Sequence, residues 1–426
     1  MLGKILDPEF LSAVTFSSVI WVYLVVFMYY RRDLFSFELI ILFAIFNLLI
    51  FSNYFYQYYP SVKDAAMYHE VAADFAKGLR SNPFTTIAEC YKMRAVGWTL
   101  PLGITFSIFG VSDSAGRFFT TLFSIGVVTN LHHITKRLFG IRAANIMGIL
   151  FCLTSFFWLM SCILYRDMMI SFFITLFFRK IVDLDFSKNR SIAENAYILL
   201  IILYLVILRP PLIFIFGLSF LFWILIPGKD CRGIKKLGRY LLLMVCLSVG
   251  AVIFIAVVKY EIAQDTAIAS ASKYGDIDFI DQRTHSTSNS ASSSYMGDIR
   301  LKSYGDVAAY LPKAIIYFLF SPFPWEIVSS KQALGIIDSV QLLIIYILSA
   351  IMLRCFYKEN KKLASPFLIF LIVGIVSSSA LQTNVGSAMR HRTMFTYLLY
   401  PFAATQLIRR KKVSKLVNYK YVYQKI

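Results

Sequence analysis

Long apolar stretches alternate with short polar segments along the whole chain. Several stretches approach the roughly 20 residues that a helix needs to cross a bilayer. Basic residues concentrate in the short segments, for example at Arg31-Arg32 and in the run from Lys358 to Lys362. Placing every basic cluster in the cytoplasm gives one consistent alternation of helices, as the positive-inside rule requires. The pattern therefore predicts an all-α fold, a polytopic transmembrane helical bundle of about eleven helices.

The predicted spans start with the N-terminus outside and finish with the C-terminus inside. They lie near 10–30, 36–58, 117–135, 142–163, 168–182, 195–208, 211–227, 240–259, 335–354, 364–382 and 392–408. Two further apolar stretches, 97–110 and 310–327, contain proline and fall on the outer side, where we expect helices in the membrane interface. Outer loops of about 59–116 and 260–334 and a basic cytoplasmic tail, 409–426, complete a single integral membrane domain.

The composition agrees with this architecture. The chain is 58% hydrophobic and its mean hydropathy is +0.65, values typical of a membrane protein. In a soluble protein the net charge of +19 would suggest nucleic acid, but the basic loops account for it here, so no nucleic-acid partner is expected. The six cysteines show no CxxC or Cys/His spacing, so neither a disulfide framework nor a zinc site is predicted.

The first outer loop begins with a polar island, SVKDAAMYHEVAADFAKG. Ser61 and Asp64 form an S-x-x-D pattern, which allows two interpretations. Asp64 either caps a helix or is the working carboxylate of an enzyme. On the predicted helix Asp64 and Tyr68 share an otherwise apolar face, and His69 lies elsewhere.

Other ionisable residues fall on the same predicted side. Lys92 and Arg94 follow in the first outer loop, and Arg166 and Asp167 occupy a hairpin of a few residues between two apolar stretches. Ionisable groups beside apolar helices are costly, so they are usually functional or paired. The simpler interpretation of Arg166 and Asp167 is a local salt bridge that anchors the hairpin.

The remaining outer cations lie in the second half of the chain. Arg209 precedes two prolines at an outer helix break and is either a phosphate ligand or a snorkelling anchor. Arg390, His391 and Arg392 cluster in the last outer turn, where short loops disfavour positive charge. His391 alone is typical of a surface imidazole. Because arginine offers planar, multidentate donors to phosphate oxygens, these cations around an outer carboxylate predict a site for a phosphate-bearing lipid beside a base.

This combination suits transfer of a sugar from a polyprenyl phosphate. Cationic donors would stabilise the charge that develops on the leaving phosphate. The acceptor hydroxyl must lose a proton as it attacks the anomeric carbon, which requires a carboxylate within hydrogen-bond reach.

Four motifs also follow one another in order along roughly the first 180 residues: DAAMYHEVAADFAKG, PLGITFSIFG, GRFFTTLFSIGVVTNLHHITKRLFG and LYRDMMISFF. This order resembles the GT-C superfamily of membrane glycosyltransferases, especially the lipid-phosphate-dependent bacterial transferases akin to protein mannosyltransferases and aminoarabinose-lipid transferases. The resemblance implies that Asp64 is the catalytic or acceptor-orienting carboxylate, Asp167 the second acidic residue, and Arg166 with the later basic residues the phosphate ligands. Ala65 stands where a second acidic residue is usual, which leaves a divalent cation, Mg or Mn, an open question.

The resemblance thus implies a multi-pass enzyme of a bacterial cytoplasmic (inner) membrane with its active site on the periplasmic side. Its expected partners are polyprenyl-(pyro)phosphate-linked sugars, membrane lipids and other polysaccharide-assembly proteins. An O-antigen-type polysaccharide polymerase that uses polyprenyl-pyrophosphate-linked repeat units is the alternative. A lipid-linked oligosaccharide flippase fits less well, because the sequence shows no internal repeat and no charged helices at mid-membrane.

Overall fold

The computed structural model describes most of the two halves of the chain on either side of a central gap. The described residues are 6–59, 64–186, 192–209, 212, 215–219, 277, 281–282, 284, 300–326 and 330–409. Within them the chain is helical and has no β-strand, which confirms the all-α prediction. The predicted spans 211–227 and 240–259, much of the loop 260–334 and the tail beyond residue 409 lie largely or wholly outside these residues.

The described helices are numbered here in chain order. Those before the gap are α1 (Pro8–Arg31), α2 (Leu34–Tyr56), α3 (Asp64–Ser81), α4 (Pro83–Glu89), α5 (Val96–Phe109), α6 (Asp113–Phe139), α7 (Ile141–Cys152), α8 (Ser155–Ser161), α9 (Asp167–Phe186) and α10 (Ile192–Leu208). Those after it are α11 (Tyr304–Phe320), α12 (Ser330–Glu359), α13 (Lys361–Ala380), α14 (Val385–Thr396) and α15 (Tyr400–Ile408). Short 3₁₀ turns occupy Cys90–Lys92, Pro324–Glu326 and Tyr397–Leu399.

Four described helices are long and apolar enough to cross a membrane: α1, α2, α12 from Gly335 onward, and α13. Helices α7 and α8 form a pair bent by 72°, which makes a fifth crossing if the two are one span. The predicted bundle of about eleven spans is therefore not confirmed. The spans predicted at 117–135 and 168–182 are helical, but α6 and α9 carry charged residues that lower their hydropathy, and α10 has 17 residues.

Helix α6 lies at the centre of the described core. It packs against α1, α2, α5, α7, α8, α9 and α15, and its side chains are buried along most of its length. Small and hydroxyl residues make this possible, because they let neighbouring helices approach closely. The hydroxyls of Thr120 and Ser124 donate to the carbonyls of Gly116 and Thr120, so these buried polar groups are satisfied within the helix.

Polar contacts gather at the two opposite ends of this core. At one end the starts of α1 and α6 meet, because the hydroxyl of Ser112 donates to the carbonyl of Glu9. Arg117 is 2% exposed there, and it donates to the carbonyls of Cys162 and Tyr59. We call this the Asp167 end, after the first residue of α9.

The other end, at the last turns of α1, α6 and α9, is called the Asp183 end. The imidazole of His133 lies 2.7 Å from Asp183, and the guanidinium groups of Arg137 and Arg179 lie 3.9 Å from the same carboxylate. The rings of Phe139 and Phe356 meet here, which brings the end of α12 to the end of α6. The contacts of Arg117 and those of Asp183 therefore lie at opposite ends of α6.

Candidate functional site

One arginine links two carboxylates at the Asp167 end. Arg390, on α14, donates through Nε and Nη2 to Oδ2 of Asp167, at 3.1 and 2.9 Å. Its third nitrogen, Nη1, lies 3.5 Å from Oδ2 of Asp64. The guanidinium also lies over the ring of Tyr165, with 3.8 Å between Cζ and the ring centroid. Helices α3, α9 and α14 therefore converge on a single cation.

The two carboxylates occupy the same local position on their helices. Asp64 is the first residue of α3 and Asp167 the first residue of α9. A negative charge in the first turn is favoured by the free N–H groups and the dipole of the helix. The proposed cap of Asp64 by Ser61 concerns a residue outside the described part of the chain, so that interpretation stays a prediction.

The two ion pairs differ in burial. The Asp167 side chain is 2% exposed, and breaking a buried, hydrogen-bonded pair of this kind costs about 3–5 kcal/mol. The Asp64 side chain is 55% exposed, and pairs this open contribute roughly 0–1 kcal/mol. Burial disfavours the charged form of Arg390, but the carboxylates of Asp167 and Asp64 outweigh burial and raise the pKa of Arg390, so the guanidinium remains a cation.

Tyr68 lies beneath this cluster, one turn after Asp64 on α3. It is 3% exposed and its ring meets that of Trp98 edge-on. Its hydroxyl is close enough to feel the charges of Arg166, Asp64, Asp167 and Arg390. Burial raises the pKa of Tyr68, although the positive charge of Arg166 opposes the shift. The hydroxyl therefore stays protonated at neutral pH and can act as a donor.

A second group of cations adjoins Arg390. Arg166 donates through Nη1 to the carbonyl of Leu208, the last residue of α10. The next residue, Arg209, places Nη2 3.3 Å from Nδ1 of His391, which neighbours Arg390 on α14. Because a guanidinium has only donors, Nδ1 of His391 is the acceptor. The structure thus brings seven of the residues singled out by sequence to the start of α9: Asp64, Tyr68, Arg166, Asp167, Arg209, Arg390 and His391.

Arg392 does not join this site. Its side chain is fully buried, and it donates to the carbonyls of Leu319 and Ser321 and to Oδ2 of Asp338. Two residues along a helix turn a side chain to a nearly opposite face, so Arg390 and Arg392 point to different neighbours. These contacts fasten α14 to its neighbours and leave Arg392 away from the Asp167 end cluster, so its expected phosphate contact stays a prediction.

Three other candidates also lie away from the contacts of Arg390. His69 turns its ring edge-on to Phe106 of α5. Lys92 pairs with Glu89, three residues earlier, in an exposed ion pair of 2.9 Å. Arg94 is exposed on the same segment between α4 and α5. Their charges fall on the predicted outer loop, but the described contacts do not tie them to the carboxylates.

Sequence reasoning missed two residues of this region. Tyr165 supports the face of the Arg390 guanidinium, and it directly precedes Arg166 and Asp167 in the hairpin. Asp338 holds Arg392, and it is a lone acid within an apolar stretch of α12, GIIDSVQLLII. An acid in such a stretch is itself a signal, because it needs a partner.

The carboxylates do not fit a divalent cation in this arrangement. The described residues contain no group of three or more His, Cys, Asp or Glu side chains that could hold a metal. Asp64 and Asp167 both face Arg390, whose positive charge occupies the place between them. A metal there would have to displace a guanidinium that donates two hydrogen bonds to Asp167.

Comparison of the chain with family models, with curated proteins and with solved structures finds no match. The GT-C resemblance therefore remains an expectation from the sequence motifs.

Proposed function

We propose that the protein is a GT-C-type membrane glycosyltransferase that moves a sugar from a polyprenyl-phosphate-linked donor to a glycan, lipid or protein acceptor. The observation that carries this proposal is the exposed carboxylate of Asp64 beside Arg390, which is held in place by the buried Asp167. Both lie at one end of an apolar helical bundle. A lipid tail can lie along the apolar helices while its phosphate reaches Arg390. The proposed enzyme also has the architecture predicted from the sequence, a bundle of about eleven transmembrane helices.

The basic last turns of α1, α6 and α12 support an outer location for the site. The Asp183 end collects Arg137, Arg179 and the ends of α1 and α12 with their basic residues. The positive-inside rule assigns such an end to the cytoplasm. The Asp167 end would then face the periplasm of a bacterial inner membrane.

In the proposed reaction the acceptor hydroxyl attacks the anomeric carbon of the donor sugar. The new bond joins the acceptor oxygen to that carbon, while the bond from the carbon to the phosphate oxygen breaks and its electron pair leaves with the phosphate. The hydroxyl proton passes to Asp64, which is exposed and can approach the acceptor. Arg390 and Arg166 stabilise the charge on the leaving phosphate. Asp167 is too buried to meet the acceptor, so we assign it to holding Arg390.

A polymerase of the O-antigen type is the second candidate, and one observation favours it. Arg209 and His391 form a polar group next to Arg390 and Arg166, so the site contains two adjacent sets of donors. Two sets suit the two phosphates of a polyprenyl-pyrophosphate carrier better than a single phosphate. Flipping of lipid-linked oligosaccharides remains the third candidate.

The test is transfer by the purified protein in proteoliposomes. The donor is the lipid-linked intermediate that accumulates when the protein is deleted, offered beside synthetic polyprenyl mono- and diphosphate sugars. We expect Asp64→Asn to lower transfer by about 10²–10⁴-fold, the range for loss of a general base. The matched control is Asp74→Asn on the same helix, since Asp74 is exposed and only pairs with Lys77. Normal transfer by Asp64→Asn would remove the mechanism, and the preferred donor separates the two enzyme classes.

A further inference from the structure

The guanidinium of Arg390 presents three different faces to its surroundings. The edge formed by Nε and Nη2 is bound by Asp167, and the flat face rests on Tyr165. Among the described residues, the remaining nitrogen, Nη1, meets an exposed carboxylate, at a distance longer than the 2.7–2.9 Å of a charge-assisted hydrogen bond. Asp167 and Tyr165 thus fix the arginine, whereas its contact with Asp64 is longer and exposed to solvent.

We propose that Nη1 of Arg390 is an exchange position, where the phosphate of an incoming lipid displaces the Asp64 carboxylate. Asp64 then marks the place of the substrate anion when no substrate is bound. Asp167 and Tyr165 are positioning residues that keep the guanidinium in place while its partner changes. This inference rests on the proposed function for the role of Asp64 as base, and it adds how that base is regulated.

The exchange is favourable for physical reasons. The Asp64 side chain is more than half exposed, so it can return to water when it leaves Arg390. A phosphate carries more charge and more acceptor oxygens than a carboxylate, so it forms the stronger charge-assisted hydrogen bond with Nη1. Repulsion between the phosphate and Asp64 drives the carboxylate away from Nη1. Arg166, which directly precedes Asp167 in the sequence, adds positive charge that attracts the phosphate.

Displacement has a consequence for the order of events. While Asp64 is paired with Arg390, its oxygen is held towards the cation rather than towards an acceptor hydroxyl. Binding of the donor phosphate releases the carboxylate, so the base becomes available only after the donor has bound. The site would therefore protect the lipid-linked sugar from attack until both substrates are in place.

The experiment measures binding of farnesyl phosphate to the purified full-length protein in detergent, with farnesol as the neutral control. Removal of a competing carboxylate should tighten binding, and we expect Asp64→Asn to lower the Kd by about three- to fivefold, the weight of one exposed ion pair. Asp167→Asn releases the anchor of Arg390 and should raise the Kd at least about tenfold. Asp74→Asn makes the same charge change on the same helix and should leave the Kd unchanged.

The opposite signs of the two effects are the critical result. If Asp64→Asn binds farnesyl phosphate with unchanged or weaker affinity, the proposed exchange is wrong, regardless of the result for Asp167→Asn. Gel filtration checks that Asp167→Asn is folded. Inorganic phosphate should compete only at much higher concentration, and competition at equal concentration would overturn the lipid as the source of the anion. Failure of the proposed function looks different: the Kd pattern holds, but no lipid-linked sugar is transferred.

Discussion

Arg392 and Asp338 form an ion pair sealed inside the protein, with 2.6 Å between Nη2 and Oδ2. The other terminal nitrogen of Arg392, Nη1, donates to the carbonyls of Leu319 and Ser321, at the end of α11. One side chain thus joins α14 to α11 and α12. Because Arg390 lies two residues earlier on α14, the buried pair also fixes the rotation that turns Arg390 towards Asp167.

Removal of either partner of this pair should destabilise the protein. Arg392→Ala or Asp338→Ala leaves an uncompensated buried charge, so we expect a loss of about 3–5 kcal/mol in the free energy of unfolding. The double variant Arg392→Met with Asp338→Leu removes both charges and should lose much less. Thermal unfolding in detergent measures the three variants.

The control for these variants is Lys92→Ala, which breaks an exposed ion pair with Glu89 and should leave the unfolding temperature nearly unchanged. If Arg392→Ala keeps full stability and weakens only the binding of the lipid substrate, then Arg392 is a phosphate ligand and its assignment to fastening α14 is wrong.

Tyr165 should contribute to substrate binding without touching the substrate. Its ring supports the guanidinium of Arg390, and a cation–π contact of this kind is worth about 0.5–2 kcal/mol. Tyr165→Leu should therefore weaken farnesyl phosphate binding by about 2- to 30-fold. Tyr165→Phe keeps the ring and should bind as the natural protein does. Equal loss in the two variants would assign the effect to the hydroxyl instead.

The sequence was sufficient to predict which residues gather at one end. Assignment of the basic clusters to one side placed Asp64, the hairpin of Arg166 and Asp167, and Arg390 together on the other side, and in the structure Arg390 contacts both Asp64 and Asp167. The positive-inside rule led to this prediction, because it assigns the direction of each apolar helix from the charges at its ends.

The sequence was not sufficient to predict how each side chain is used. Arg390 and Arg392 have the same chemistry in the same turn, but one faces a half-open cluster and the other is buried against Asp338. Likewise Asp64 and Asp167 are both the first residues of helices. Asp64 is exposed and Asp167 is buried because the neighbouring helices pack differently around them. The rotation of a helix depends on all its neighbours, so a local pattern cannot fix it. The predicted count of about eleven spans is not confirmed among the described helices, because α6 and α9 carry charged residues and are mostly buried in protein.

The close approach of α3 and α5 should be essential for the position of Asp64. A Cβ atom added at Gly103 would lie 2.7 Å from Cδ1 of Phe75 and 3.0 Å from the carbonyl oxygen of Ala72, so neither helix has room for it. Gly103→Ala should cost about 1–3 kcal/mol in the free energy of unfolding, and it should lower transfer because α3 carries Asp64 and Tyr68.

Gly305→Ala is the control, since a Cβ atom there meets only Ser303 Oγ at 3.4 Å in the first turn of α11. Unfolding temperature and transfer activity are measured for both variants. Full stability of Gly103→Ala would show that the two helices can separate without cost, and the close packing would then not position the carboxylate.

Transfer should not depend on a divalent cation. Arg390 already lies between the carboxylates of Asp64 and Asp167, so the positive charge that a metal would supply to a phosphate is present in the chain. We expect transfer after treatment with EDTA to stay within about twofold of the untreated rate, since a lost electrostatic contact at the reacting phosphate would cost 10²–10³-fold. The measurement is transfer of a polyprenyl-linked sugar before chelation, after it, and after addition of Mg²⁺ or Mn²⁺. A large loss that either ion restores would mean that a metal displaces Arg390 during the reaction, and the assignment of Asp167 as the anchor of that arginine would then be wrong.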